Sequence, residues 1–253
     1  MKTIIQLSDL HFGRTNPVIV ESLREFILAA KPNVVVVSGD LTQRAKKQEF
    51  SQAQEFLSAF DCTKIIVPGN HDVPLYNLWA RFKNPHRHFK KFIDPLLEPF
   101  YIDQEMAIIG LNTSRSLVWK SGRVNANQLE HVKQKLQQLD SRLVKIIVTH
   151  HPLQSLRNKN ILRDFLLAGA NIFLSGHLHK GLTEDFEHTV KEKTHKALLV
   201  QAGTATSVRY RGELNSFNVL LVDCGKITVN QYRWQTPDKK FIKTNSKMTP
   251  FTP

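Results

Sequence analysis

The first third of the chain alternates short apolar runs with amphipathic stretches. Residues 2–7, 34–37 and 63–67 are apolar runs that end in polar residues, and they predict strands. The run at 34–37 consists of four valines, which is typical of a strand buried on both faces. Between the runs, apolar residues recur at helical spacing over 17–30 and 45–60. This β-α-β-α-β order predicts a parallel sheet, and such sheets place ligand sites at the carboxyl ends of their strands.

The rest of the chain predicts shorter and more varied elements. Further helices are expected at 127–139 and 160–168, the first of them capped by Asn125 or Asn127. Strands are expected at 100–102, 107–109, 143–148, 171–174, 197–201, 204–210, 217–222 and 227–234. Because helical signals fade after residue 180, the second half is expected to be antiparallel or mixed.

Residues 1–235 are predicted to form one domain with an insertion at about 74–100. The insertion interleaves aromatic residues with Arg, Lys and His, and it begins directly after Asp72. It is therefore placed either to cover a site as a lid or substrate-binding cap, or to pack on the rim as helices with solvated charges. Residues 236–253 are rich in Lys and have little hydrophobic periodicity, so we expect a basic tail that lies on the surface or is partly disordered.

The charge balance narrows the kinds of partner. The composition of the 253 residues, with 41% hydrophobic, is that of a globular protein and excludes a largely disordered chain. The 35 Lys and Arg residues exceed the 22 Asp and Glu residues, which gives a formal charge of +13 at pH 7. This excess favours anionic partners: a small phosphorylated substrate, nucleic acid or an anionic membrane surface.

Three features bear on the location of the protein. Residues 1–7 begin like a signal peptide, but Ser8-Asp9 interrupts them before an apolar core can form, so they predict a first strand instead. The sequence has no apolar run as long as a membrane span, so any membrane contact would be peripheral, at the inner face. Cys62 and Cys224 are far apart and outside any Cys-x-x-Cys pattern, which predicts two buried free thiols in a reducing cytoplasm.

Polar residues able to bind metal follow five of the predicted strands. The strand endings read Asp9-x-His11, Gly39-Asp40, Gly69-Asn70-His71-Asp72, His150 and Gly176-His177-x-His179. Together they supply a possible bridging carboxylate and several nitrogen and oxygen donors, without a thiolate, which suits two divalent ions of Mn, Fe or Zn. Each glycine before a ligand permits a tight turn or a close backbone approach.

These five blocks, in this order and each after an apolar strand, resemble the calcineurin-like metallophosphoesterase superfamily. The resemblance covers Asp9 to His179, and the later strands fit the second sheet of that family's fold. It implies an α/β fold: a four-layer α/β/β/α sandwich of two mixed sheets flanked by helices. Within the family, the compact length and the GNHD form of the third block are closest to bacterial class III cyclic-nucleotide phosphodiesterases.

The resemblance also implies roles for individual residues. One metal would be bound by Asp9, His11, Asp40 and His179, and the other by Asp40, Asn70, His150 and His177, with Asp40 as the bridge. The metals would polarise phosphoryl oxygens and make a bridging hydroxide available for in-line attack. His71 would contact the phosphate or protonate the leaving oxygen, and Asp72 would orient His71.

Several other residues have weaker claims to the site. The family uses the first histidine before x-Pro as the ligand, so His151 is interpreted as a non-ligand beside His150. Asn112 and Arg115 could contact a phosphate, although turn capping is the better interpretation of both. The remaining histidines lie in polar segments and are expected to have surface roles: His86, His88, His131, His188 and His195.

The leading hypothesis is an intracellular phosphodiesterase acting on a cyclic nucleotide or a similar small phosphodiester. A first alternative is a UDP-diacylglucosamine pyrophosphohydrolase of lipid A synthesis, which the basic aromatic insertion would suit, although the familiar members of that group carry Arg where this chain has His71. A second is a nuclease, which the charge favours but the scattered basic residues do not. A third is a metal-free scaffold of the same fold, which predicts broken ligand positions, and none is broken in this sequence.

Overall fold

The structure is a computed structural model that describes residues 1–116, 121–208, 212–223 and 225–250. Its strands are β1 (Lys2–Leu7), β2 (Val34–Ser38), β3 (Thr63–Val67), β4 (Phe100–Ile102), β5 (Met106–Gly110), β6 (Val144–Val148), β7 (Ile172–Ser175), β8 (Leu182–Val190), β9 (Lys193–Gln201), β10 (Ser216–Asp223), β11 (Lys226–Gln235) and β12 (Lys240–Pro250). Its α-helices are α1 (Pro17–Ala30), α2 (Lys47–Ser58), α3 (Leu78–Lys83), α4 (Arg87–Phe92), α5 (Ala126–Gln138) and α6 (Asn160–Leu167). Single 3-10 turns occur at Asn70–Asp72 and Leu153–Ser155.

The strands form two six-stranded mixed sheets. The first has the order β12-β11-β10-β1-β2-β3, in which β1, β2 and β3 are parallel and β10 to β12 are antiparallel. The second has the order β4-β5-β6-β7-β9-β8, in which β5, β6, β7 and β9 are parallel and the two edge strands are antiparallel. The parallel β-α-β-α-β unit predicted for the first third of the chain is confirmed.

Alternating side chains of the strands divide the core into three layers. Val34 and Val36 of β2 pack in a cluster that also contains residues of β5, β6 and β7, so this cluster fills the space between the sheets. Val35 and Val37 pack instead with buried residues of α1 and α2. A third cluster joins the outer face of the second sheet to α5 and α6. Helix, sheet, sheet and helix are therefore stacked in that order, which confirms the predicted sandwich.

Three elements differ from the sequence-based expectation. Residues 204–208 form a loop instead of a strand, buried at 204–207 and exposed at Val208, and the end of the strand predicted at 204–210 lies outside the described residues. Strand β8 was not predicted, because its sequence LTEDFEHTV is polar and much of it is exposed at a sheet edge. Strand β12 lies within the expected basic tail at 236–253; it pairs with β11 along its length, and Phe241 is buried against Trp234 with 5.4 Å between the ring centroids.

The insertion at about 74–100 contains the short helices α3 and α4. Phe89 of α4 is fully buried, and its ring lies 6.5 Å from that of Phe50 of α2, so one side of the insertion packs on the rim of the fold. The side chain of Arg81 is also buried, and it donates hydrogen bonds to the main-chain carbonyls of Pro74 and Ser116. Phe89 and the Arg81–Ser116 hydrogen bond therefore attach both short helices of the segment to the rest of the protein.

Two further expectations concern membrane spans and cysteines. Within the described part of the chain, the helices lack either the length or the apolar character needed to cross a bilayer. Cys62 is a free thiol, but it is partly exposed instead of buried, and its partial burial raises the pKa of the thiol. Cys224 lies outside the described residues.

Candidate metal centre

Five of the seven candidate ligands have a left-handed backbone conformation. The φ angle is 52° at Asp9 and His11, 54° at Asp40, 72° at His177 and 59° at His179. For residues other than glycine this conformation costs about 1–2 kcal/mol each, and such strain concentrates at functional sites. Main-chain hydrogen bonds between the loops stabilise it: the amides of Asp9 and His11 donate to the carbonyls of Gly39 and Asp40, both at 3.0 Å.

A first group of donor atoms comes from the loops after β1 and β7. The Nε2 atom of His179 lies 3.1 Å from Oδ1 of Asp9 and 3.2 Å from Nε2 of His11, and all three side chains are buried. The Nε2 atom of His11 is 3.6 Å from the same Asp9 oxygen. Three donor atoms from two distant parts of the chain therefore point at one small volume, in an arrangement that can hold a metal ion.

A second group lies beside the first. The Nε2 atom of His150 is 3.1 Å from Oδ1 of Asn70, 3.2 Å from Nδ1 of His177 and 3.4 Å from Oδ1 of Asp40. The other oxygen of Asp40 faces the first group, 3.9 Å from Nε2 of His11. Asp40 therefore lies between the two groups and offers one oxygen to each.

The chemistry of these donors fits divalent metal ions. Oδ1 of Asp9 is buried and makes no hydrogen bond within the described part of the chain, and two imidazole nitrogens face each other at 3.2 Å. A cation between them would satisfy atoms that are otherwise costly to bury. All donors are nitrogen or oxygen, the set that Mn, Fe and Zn accept.

The electrostatics of the cluster keep the carboxylates ionised. Burial alone would raise the pKa of Asp9, but the imidazoles of His11, His179 and His150 outweigh burial and hold it well below its usual range. Burial also opposes ionisation of Asp40, but the charge of His150 outweighs burial and lowers the pKa of Asp40. Burial lowers the pKa of His150, yet the adjacent Asp40 carboxylate raises it overall, to about 9. Asp9 and Asp40 are therefore ionised at neutral pH, and each places a negative charge within the donor groups.

Two glycines are required by close approaches at this site. A Cβ atom at Gly69 would overlap the carboxylate of Asp40, and a Cβ atom at Gly176 would overlap the hydroxyl of Ser8. Ser8 in turn donates a 2.6 Å hydrogen bond to Oδ2 of Asp9, which fixes the orientation of that carboxylate. The predicted need for glycine before these ligands is confirmed at both positions.

His71 lies next to the donor groups, and the described hydrogen bonds of Asp72 are made with other residues. The amide of His71 donates to Oδ1 of Asp40 at 2.8 Å, and Nδ1 of its ring lies 2.9 Å from the carbonyl oxygen of Gln43. The buried carboxylate of Asp72 instead accepts hydrogen bonds from the amides of Gly69, Leu41 and Thr42 and from the Thr42 hydroxyl. Asp72 thus connects the loop after β2 to the loop after β3, because its carboxylate accepts hydrogen bonds from main-chain amides of both loops.

Burial and the neighbouring Asp40 carboxylate raise the pKa of Asp72 to about 6, although the backbone donors oppose this shift. The contacts of Ser8, Thr42 and Gln43 were not predicted from the sequence. Their only sequence signal is their position within three residues of Asp9 or Asp40, as polar residues that directly follow a strand or its ligand.

His151 is buried beside the second group. Its Nδ1 lies 2.8 Å from the hydroxyl oxygen of Thr113, and its ring centroid lies 4.5 Å from that of His177. The donor atoms of His150, His151 and His177 come within 4.8 Å of one another, so geometry alone allows a metal contact there. Burial, with the charges of His150 and His177, lowers the pKa of His151 well below its usual value and keeps its ring neutral.

Asn112 and Arg115 are engaged in turn and helix contacts. Oδ1 of Asn112 accepts from the amide of Ser114 at 2.9 Å, and the guanidinium of Arg115 hydrogen-bonds Gln128 of α5. The Asn112 contact is of the turn-capping kind, whereas Arg115 contacts a side chain of helix α5.

The other histidines separate into buried and exposed residues. His131 is exposed, as expected, and His88, His188 and His195 are partly exposed. The surface role expected of His86 is wrong: its side chain is buried, its Nε2 lies 3.5 Å from Nδ2 of Asn112, and burial lowers its pKa to about 4. The polar sequence around it misled the prediction because α4 turns this face of the insertion inward.

The sandwich of two mixed sheets, with clustered Asp, Asn and His at its strand ends, defines the metallophosphoesterase class of proteins. The chain belongs to the calcineurin-like phosphoesterase family, whose family model matches residues 2–181. Among curated proteins, it is similar to the probable glycerophosphodiester phosphodiesterase GpdQ of Arcobacter nitrofigilis, with 25% identity over 136 residues. That match spans 50% of this chain and 45% of the relative.

Solved structures share the fold at low sequence identity. A purple acid phosphatase from yellow lupin (Lupinus luteus) has a TM-score of 0.69 at 10% identity, with 98% of this chain and 53% of that chain covered. A predicted phosphoesterase from Streptococcus pneumoniae has a TM-score of 0.51 at 18% identity, with 99% and 98% covered. Vps29 from Chaetomium thermophilum has a TM-score of 0.52 at 15% identity, with 98% and 97% covered. At these identities the likeness shows the fold alone.

Proposed function

We propose that this chain is a metal-dependent phosphodiesterase that hydrolyses a small phosphodiester, with cyclic nucleotides as the leading substrate class. The observation that carries the proposal is the pair of buried donor groups joined by Asp40. Two adjacent metal positions that share a carboxylate are typical of enzymes that cleave phosphoester bonds.

The ligand assignment follows from the two groups. Asp9, His11, Asp40 and His179 would hold one ion, and Asp40, Asn70, His150 and His177 the other. Bound there, Mn, Fe or Zn ions would polarise phosphoryl oxygens and lower the pKa of water towards neutrality. The ionised carboxylates of Asp9 and Asp40 would balance part of the cations' charge, and the hydrogen bond from Ser8 would keep Asp9 oriented for binding.

His71 is the residue best placed to exchange a proton with the leaving oxygen. Its ring makes an edge contact with the ring of His11, with 4.9 Å between the centroids, so it borders the first donor group. A neutral ring would donate from Nδ1 to the carbonyl of Gln43, which assigns proton exchange with a substrate to Nε2. The catalytic role proposed for Asp72 is indirect, because its carboxylate holds the loops that carry Asp40 and His71.

Two observations favour a small anionic diester as the substrate. The chain carries a formal charge of +13, which attracts anions to the site. The curated relative is described as a probable glycerophosphodiester phosphodiesterase, although this chain spans less than half of that protein. A glycerophosphodiester therefore joins cyclic nucleotides among the substrates to be tested.

The reaction type is tested with bis-p-nitrophenyl phosphate and added Mn²⁺. We expect hydrolysis by the unaltered protein and loss of at least about a hundredfold in kcat in Asp40→Ala and in Asn70→Ala. His131→Ala, an exposed histidine on α5, is the control and should retain full activity. Activity that survives both site substitutions would refute the two-metal proposal.

The substrate class is tested by kcat/KM on a panel of cyclic AMP, a glycerophosphodiester, UDP-diacylglucosamine and single-stranded DNA. We expect one of the two small diesters to lead by at least about tenfold. A lead of UDP-diacylglucosamine by orders of magnitude would favour the lipid-linked alternative, and a lead of DNA would favour a nuclease.

A further inference from the structure

The insertion presents a row of aromatic side chains to solvent. Tyr76, Trp79 and Phe82 are spaced by three residues at and within α3, and they are 78%, 71% and 58% exposed. Leu96, near the end of the same insertion, is 60% exposed. Side chains of this size are rarely left exposed together in a protein that has no partner at that surface.

Basic side chains lie over and beside these rings. The guanidinium carbon of Arg44 lies 5.5 Å from the centre of the Tyr76 ring, and Nζ of Lys83 lies 4.4 Å from the centre of the Trp79 ring. Four Lys or Arg residues of the insertion are exposed, against its two acidic residues, Asp94 and Glu98; the four are Lys83, Arg87, Lys90 and Lys91. We name Arg44, Tyr76, Trp79, Phe82, Lys83 and Arg87 the aromatic–basic surface. Its partner must accept both apolar rings and positive charge.

We propose that the aromatic–basic surface docks on an anionic phospholipid membrane. Aromatic side chains with a polar or charged neighbour are favoured at the boundary between lipid headgroups and acyl chains, and Lys and Arg are attracted by anionic headgroups. A cavity of about 500 Å³ lies between α3 and α4, lined in part by Trp79, Lys83 and Arg87. Its volume is large enough to admit a headgroup phosphate, and Lys83 and Arg87 are the cationic side chains that line it.

Two features favour a membrane over nucleic acid as the partner. Single-stranded nucleic acid binds such surfaces by stacking bases on the faces of aromatic rings. Arg44 and Lys83 already cover faces of Tyr76 and Trp79, which leaves less ring surface for stacking. Leu96 adds an aliphatic contact that suits acyl chains and offers nothing to a base. Helix α3 is short, so the contact would be peripheral.

Docking in this way would also bring the proposed metal centre close to the lipid surface. Asp72 and Ala45 line the cavity, and they are one and two residues from His71 and Gln43, respectively. Those two residues contact each other at 2.9 Å beside the first donor group. The docking proposal stands on exposed surface and charge alone, so it holds whether or not the phosphodiesterase proposal does.

The test is co-sedimentation of the full chain with vesicles of phosphatidylglycerol and phosphatidylcholine in equal parts, compared with phosphatidylcholine alone. We expect binding to the anionic vesicles that weakens as the salt concentration rises from about 0.1 M to about 0.5 M. Trp79→Ser/Phe82→Ser and Lys83→Glu/Arg87→Glu should each weaken it by about tenfold or more. The charge control is Lys240→Glu/Lys243→Glu on β12, which changes the net charge by the same amount and should weaken binding less than about threefold.

Circular dichroism and the melting temperature of each variant identify any that fail to fold, and a conservative pair, Trp79→Phe/Lys83→Arg, should retain binding. Equal losses in the two charge variants would overturn the proposal, because binding would then depend on total charge alone. Equal binding to neutral and anionic vesicles would also overturn it. So would a single-stranded DNA oligonucleotide that binds the same surface more tightly than the vesicles do, since nucleic acid would then be the partner.

Discussion

The Nε2 atom of His150 lies 3.1 Å from the Oδ1 atom of Asn70, although the two residues are 80 positions apart in the chain. They meet because β6 and β3 belong to different sheets and yet end at the same edge of the sandwich. A tight turn after each strand then directs the side chain inward. This convergence across the two sheets is what makes a second metal position feasible.

The adjacent histidines 150 and 151 provide a direct test of that position. His150 faces Asn70 and Asp40, whereas Nδ1 of His151 is engaged with Thr113, so we expect His150 to bind metal and His151 not to. After loading with Mn²⁺ and gel filtration, His150→Ala should lose about one metal ion per chain, and His151→Ala should retain the full content. Elemental analysis gives both values. If only His151→Ala lost metal, His151 and not His150 would be the ligand, and this assignment would be wrong.

The fold was largely predictable because its strands are strongly apolar. The four valines at 34–37 are typical of a strand that is buried on both faces. The helices before and after this strand predicted its parallel pairing with both neighbours. Strand β12 could not be recognised in the same way. Its stability comes from hydrogen bonds with β11 and from burial of Phe241, and single residues such as this one give no periodic signal.

The candidate donor residues could be named from the sequence by resemblance, but their secondary contacts could not. Asp9 and His179 could be paired by resemblance, and the structure brings them within 3.1 Å. The contact between His71 and the main chain of Gln43 leaves no trace in the sequence, because any residue type offers a carbonyl oxygen. The same reason explains why the hydrogen bonds of Asp72 were not predicted, because three of the four come from main-chain amides.

Asp72 is expected to matter more for stability than for chemistry. Asp72→Ala would leave three amides and one hydroxyl without their acceptor in a buried setting, and each unsatisfied group costs about 1–3 kcal/mol. We therefore expect the free energy of unfolding to fall by about 3 kcal/mol or more in urea titrations. Asp72→Asn, which keeps one acceptor oxygen, should lose less.

Asp140→Ala serves as the surface control for Asp72. Asp140 pairs with Arg142 in an exposed salt bridge, so its loss should change the urea midpoint far less than the loss of Asp72 does. Similar values for the two alanine variants would contradict the bridging role of Asp72 between the loops.

His86 should make stability depend on pH in the mildly acidic range. Burial, followed by the charges of Lys90 and Arg115, lowers its pKa from an ordinary 6.5 to about 4 in the folded protein. Between these values the unfolded chain binds a proton that the folded protein does not, so stability is full above pH 6.5 and falls as the pH drops towards 4. The loss is at most about 3 kcal/mol.

The comparison of wild type with His86→Gln isolates this effect, because other groups titrate in both proteins. We expect the urea midpoint of the wild type to fall more steeply than that of the variant between pH 6.5 and pH 4, with little difference in slope above pH 7. Parallel curves over the whole range would show that His86 titrates equally in the folded and unfolded states.

The role proposed for His71 predicts that its importance depends on the leaving group. If Nε2 donates a proton to the leaving oxygen, removal of this donor should slow the reaction most when the leaving group is an alkoxide. It should matter least for p-nitrophenolate, which leaves readily as an anion. His71→Ala should therefore lower kcat by about 10²–10⁴-fold on an alkyl phosphodiester and by much less on bis-p-nitrophenyl phosphate. His71→Gln, which can donate a hydrogen bond but no proton, should behave like the alanine variant. Metal content, measured on the same preparations, should be unchanged, since His71 belongs to neither donor group. An equal loss on both substrates would assign His71 to phosphate binding, because binding is needed whatever the leaving group.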